Sequence, residues 1–77
     1  MVQELKKKLE EISFCKKCLK ETLSLWSHET IEYVKEDEQF MYFAILSEKN
    51  PSVFYRVDDD MDTFKLDDGE WKYIVTI

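Results

Sequence analysis

The hydrophobic period of this chain changes once, near His28, and that change governs which folds are open to it. Upstream, Leu5, Leu9, Ile12, Leu19, Leu23 and Trp26 recur at helical spacing. At about 100° per residue they fall on one face together with Cys15. Lys6, Lys17 and Lys20 point away from it. Leu, Lys and Glu favour helix, no Gly or Pro interrupts, and Glu4 and Lys8 form a favourable i, i+4 pair. The pattern predicts a helix over residues 3–27. A smaller stripe of Phe14, Cys18 and Leu25 lies on its flank, although a helix covering a sheet needs only one apolar face. Either this helix is flanked on both sides, or a break near Ser13, a residue able to cap a new helix, rotates its two halves.

Downstream the period is two. Residues 30–35 alternate with Ile31 and Tyr33 on one side. Residues 40–46 (FMYFAIL) are apolar on both faces, as a central strand would be. Asn50-Pro51 breaks the chain before a third strand at 53–57. Strands at 63–66 and 71–77 flank Asp67-Asp68-Gly69-Glu70, where Asp and Gly tolerate the positive φ of a tight hairpin turn. The sum is one α+β domain spanning 1–77. An N-terminal amphipathic helix packs on a four- to five-stranded antiparallel sheet, a two-layer sandwich. The expected core is Leu9, Ile12, Leu19, Leu23, Phe43, Ile45, Val53, Tyr55, Trp71, Tyr73 and Val75.

Composition narrows the function. The 77 residues carry 17 acidic and 11 basic side chains, a net charge of −6, which disfavours direct nucleic-acid binding because that relies on Lys and Arg neutralising phosphates. The charge is uneven. Residues 1–25 hold six Lys and four Glu, a net of +2, and residues 26–77 hold five basic and thirteen acidic groups, a net of −8. No apolar run is long enough for a membrane span, and Glu10 and Glu11 follow the Lys6–Lys8 cluster where a signal peptide would be apolar. The expectation is a stand-alone cytoplasmic protein with reduced cysteines and no membrane contact.

Three constellations invite chemistry. Cys15 and Cys18 form a CxxC, but a redox CxxC places its first Cys at a helix N-terminus, and this one falls inside a helix. With His28 the pair supplies three zinc ligands of the four a structural site needs. Asp58, Asp60 and Asp62 match the first three ligand positions of a calcium loop, but Thr63 stands where Gly is required and Gly69 where the bidentate Glu would be. A solvated turn is the reading that fits. His28 is the only histidine, and no phosphate loop or hydrolase motif is present. The chain is therefore expected to be no enzyme and to take no cofactor, with Cys15, Cys18 and His28 kept as the weak metal candidates.

What remains is surface. One helix covers one sheet face, which leaves Phe40, Tyr42, Leu46, Phe54 and Ile74 on the other. Such a patch on a small protein marks a contact with another protein, and acidic turns at 36–38, 58–62 and 67–70 would steer a basic partner to it. The expected function is a non-catalytic acidic protein-binding module, an inhibitor or regulator that binds a basic surface of a partner protein. Its sharper form is nucleic-acid mimicry, carboxylates standing in for phosphates, as in some phage and mobile-element proteins. The expected partner-binding residues are Phe40, Tyr42, Phe54, Ile74, Asp58, Asp59, Asp60, Asp62, Asp67 and Asp68. The alternatives are a structural homodimer or assembly subunit, and below that a thiol or zinc protein.

Overall fold

The computed structural model describes residues 2–25, 28–49 and 51–77, with helix side chains from residue 6 onward. Helix α1 (Val2–Thr22) is followed by strands β1 (Thr30–Glu36), β2 (Phe40–Leu46), β3 (Val53–Asp58), β4 (Asp62–Asp67) and β5 (Glu70–Thr76). The strands pair antiparallel in chain order, a five-stranded meander. This is the α+β architecture expected of the period change.

The helix runs unbroken through Ser13, so the alternative of two rotated halves does not occur. It stops earlier than its apolar pattern, and the reason is local. The Leu25 N–H donates to the Lys20 carbonyl at 3.3 Å and the Ser24 N–H to the Glu21 carbonyl at 3.4 Å, while Ser24 sits at φ 52°. This is the Schellman closure, with a serine at the left-handed position that glycine usually holds. Without a Gly or Pro to announce it, the stop was invisible in composition. Trp26, expected on the helical face, lies outside the described residues.

The hairpin turn after β4 is as expected. Asp68 (φ 53°) and Gly69 (φ 81°) both take positive φ between the paired Asp67 and Glu70, the geometry that matches the right-handed twist of the flanking strands.

Both edge strands carry a bulge. In β1 the register passes from Tyr33 opposite Phe43 to Lys35 opposite Tyr42, leaving Val34 unpaired and 49% exposed. In β5 it passes from Val75 opposite Thr63 to Tyr73 opposite Phe64, leaving Ile74 unpaired. One extra residue flips the face of everything beyond it. Val75 therefore shares a face with Thr63, while Tyr73 and Trp71 turn to the opposite side of the sheet. That overturns the expectation that Trp71 and Tyr73 join the core under the helix.

The core lies between helix and sheet. Cys15 and Leu19 from α1 meet Phe43 of β2 and Val57 of β3, all essentially buried, and Ile12, Leu23, Ile31, Tyr33, Met41, Met61 and Ile77 pack around them. Ile45 and Tyr55 are buried on the same side of the sheet, and Ala44 is buried on the other. Leu9, expected in the core, is 58% exposed. Near it the helix is tied to β1 by a polar bond, Lys8 Nζ to Glu36 Oε2 at 2.6 Å. That hydrogen bond holds the Lys8 ammonium above and the Glu36 carboxyl below their ordinary pKa ranges. Among the described residues, no helix is long and apolar enough to cross a membrane.

Candidate functional site

Strand parity places Phe40 and Tyr42 of β2, Phe54 and Arg56 of β3, Phe64 of β4 and Trp71 and Tyr73 of β5 on the face away from the helix. Arg56 stands at its centre. Its guanidinium carbon lies 4.0 Å from the centroid of Phe40, 4.7 Å from Trp71 and 5.3 Å from Phe64. The rings also meet each other edge to face: Phe40 on Phe64, Phe64 on Tyr73, and Tyr42 on Trp71 at 5.7 Å. Contact between Tyr42 and Trp71, whose strands are separated by two others, means that side chains close over the middle of this face.

The face is thus a second small core built on a cation. Phe40 and Tyr42 are half-buried, whereas Phe54, Leu46, Ile74 and Tyr73 remain exposed around it. Arg56 Nε is buried and has no hydrogen-bond partner among the described residues. An unmet buried N–H costs about 1–3 kcal/mol. Cation–π contacts worth about 0.5–1 kcal/mol each, with three rings around the group, offset it. Those two effects nearly cancel, so Arg56→Ala is expected to lower the unfolding free energy by about 1 kcal/mol, through the space it leaves among Phe40, Phe64 and Trp71, read by urea titration. Arg56→Lys should not restore it, because an ammonium cannot stack flat between rings.

Beside this face lies the most charged part of the molecule. In a meander the first and third turns share an end, so the β1–β2 turn (Asp37, Glu38, Gln39) meets the β3–β4 turn (Asp58, Asp59, Asp60), with Phe40 opposite Asp58. Both turns are pinned by aspartate. Asp37 Oδ1 accepts the N–H groups of Gln39 and Phe40 at 2.9 and 2.8 Å, and Asp58 Oδ1 accepts those of Asp60 and Asp62, each at 2.9 Å. The Tyr42 hydroxyl donates to Asp37 Oδ2 at 2.7 Å, linking the acidic end to the aromatic face.

That Tyr42 bond, followed by the two backbone donors, holds the Asp37 carboxyl below its ordinary value of 3.8, and it raises the Tyr42 phenol above 10.0. A depressed carboxyl contributes stability that is complete above its unfolded value and is lost as pH falls through the folded one. Carboxyl-carbon NMR should therefore give Asp37 a midpoint below 3.8, and Tyr42→Phe should move it upward. An unmoved midpoint would show that the hydroxyl does not hold the carboxylate.

Asp58, Asp60 and Asp62 each present a carboxylate oxygen within 4.8 Å of the others. The sequence predicts a turn here, and Asp58 caps it through its Oδ1. Asp67 and Asp68 stand at the opposite end of the sheet, in the β4–β5 turn, where Asp67 meets Lys72 at 3.3 Å. The ten residues expected from sequence thus separate into the half-buried pair Phe40 and Tyr42, the exposed Phe54 and Ile74, an acidic end with four of the aspartates, and a distant aspartate pair.

Cys15 is buried and Cys18 half-buried, both as free thiols, and His28 is exposed. Burial pushes the Cys15 thiol up, with Cys18 and Glu11 adding to it, which favours the protonated form over the thiolate that metal binding and redox exchange require. Among the described residues, these three form no ligand cluster.

Two features escaped the sequence reading. Arg56 was legible from parity, since it alternates with Phe54 and Asp58 on the open face. The meeting of the first and third turns was legible from strand order alone. Comparison of the chain with protein-family models, with curated proteins and with solved structures returned no match.

Proposed function

We propose that this protein is a non-catalytic acidic binding module, an inhibitor or regulator whose acidic end and adjoining aromatic face engage a basic surface of a partner protein. The observation that carries the reading is the convergence of two acidic turns at the Phe40 corner of the aromatic face. Glu36, Asp37, Glu38, Asp58, Asp59, Asp60 and Asp62 crowd this end, and among the described residues the only ion pair at this end is that of Lys8 with Glu36. Such a field steers a cationic partner and suppresses anionic ones, and exposed apolar side chains beside it supply contact area that excludes water. From Phe40 beside the acids the ring contacts run through Phe64 to Tyr73, which is 57% exposed.

The bulges at Val34 and Ile74 speak against the homodimer formed by edge-to-edge pairing, because a bulge bends the edge that a second strand would need. The test is binding of the partner captured from source-cell extract. Reversal of Glu38, Asp59 and Asp60 should weaken it strongly, and an equal charge change at the far end should not.

A further inference from the structure

We infer that the recess between the helix and the β3–β4 turn receives an apolar anchor side chain from a Lys- or Arg-bearing segment of the partner, an inference that rests on the acidic-end reading above. The recess has a volume of about 250 Å³ and is lined by Phe14 and Cys15 of the helix, Met41 of β2 and Met61 of the turn. Phe14 is 59% exposed although Met41 and Met61 beside it pack against the core. A lone exposed aromatic says little. Here it continues an apolar floor that leads down to the buried Cys15.

The rim identifies the occupant. Glu11 stands on the helix side and Asp58 and Asp59 on the turn side. Carboxylates on both sides of an apolar floor complement an apolar side chain flanked by cations, the pattern of a basic amphipathic segment laid in a groove. An anionic or purely apolar segment would bring like charges together or strand the carboxylates without partners. Methionine suits such a floor, because its unbranched thioether repacks around differently shaped side chains. Phe14 of the flank stripe, which the sheet leaves exposed, thereby acquires a role.

The test uses two fluorescein-labelled peptides of equal length and equal lysine content, read by anisotropy against the full chain. One carries leucines on the face opposite its lysines, and the other carries glutamines there. The leucine peptide should bind about tenfold more tightly, or better, as burial of one aliphatic side chain implies. Phe14→Ser and Met61→Gln, tested separately, should each reduce that preference while leaving the glutamine peptide unaffected. Phe14 is exposed, so its replacement leaves the core intact. Equal binding of both peptides, still weakened by reversal of Asp59 and Asp60, would overturn the recess and leave the acidic-end reading standing. Binding of either peptide that ignores charge reversal would overturn both. Self-association in sedimentation that Phe14→Ser abolishes would assign the recess to a second copy and overturn the inference as well.

Discussion

Phe43→Ala is expected to cost the fold about 3–5 kcal/mol, the largest loss of any single substitution in the core. Phe43 has no exposed surface, meets Cys15, Leu19 and Val57, and takes an edge-to-face contact from Tyr33 at 5.9 Å. Removing a buried phenylalanine side chain costs about 3–5 kcal/mol, the transfer loss plus the cavity left behind. At the usual margin per residue, a chain of 77 residues has about 4–12 kcal/mol in all. The substitution therefore removes about a quarter of the stability at the least and all of it where the margin is smallest. Circular dichroism during urea titration reads the outcome directly. A midpoint close to that of the wild type would mean that the helix does not rest on this side chain. Phe43→Leu, which keeps most of the volume, should cost much less.

The parts of the fold that local chemistry decides were legible in the sequence. The change of period placed one helix before four or five strands, and Asp68-Gly69 marked the last hairpin because both residues tolerate positive φ. What escaped was set by single residues against their surroundings. Ser24 closes the helix from a left-handed position that nothing in its type announces. The bulge at Ile74 depends on how β5 lies along β4, so alternation counted back from Val75 put Trp71 and Tyr73 on the wrong face. Leu9 fits the apolar stripe by angle but remains exposed. Trp71 then completes the enclosure of Arg56, a pairing between β5 and β3 that no periodicity encodes. The candidate site divides in the same way. Its carboxylates and rings were visible by type, and the meander decides which of them stand together.

Reversal of the acidic end carries the largest expected effect on binding. Glu38, Asp59 and Asp60 are exposed, and their side chains make none of the bonds that hold the two turns; Asp37 and Asp58 make those. Glu38→Lys, Asp59→Lys and Asp60→Lys together should therefore leave the fold intact while turning attraction for a basic partner into repulsion. Like charges brought together across an interface cost several kcal/mol, about a hundredfold in affinity or more. Glu48→Lys, Asp67→Lys and Glu70→Lys make the same change in net charge at the other end of the sheet. That set controls for net charge alone, and its members are likewise exposed.

The decisive measurement is the dissociation constant of the captured partner for the wild type and for these two triple variants, at low and at physiological salt. The account predicts about a hundredfold weakening for the Glu38, Asp59 and Asp60 set, a change of only a few-fold for the other set, and wild-type binding that weakens as salt rises. Equal losses in the two sets, or an affinity that neither reversal nor salt alters, would contradict it.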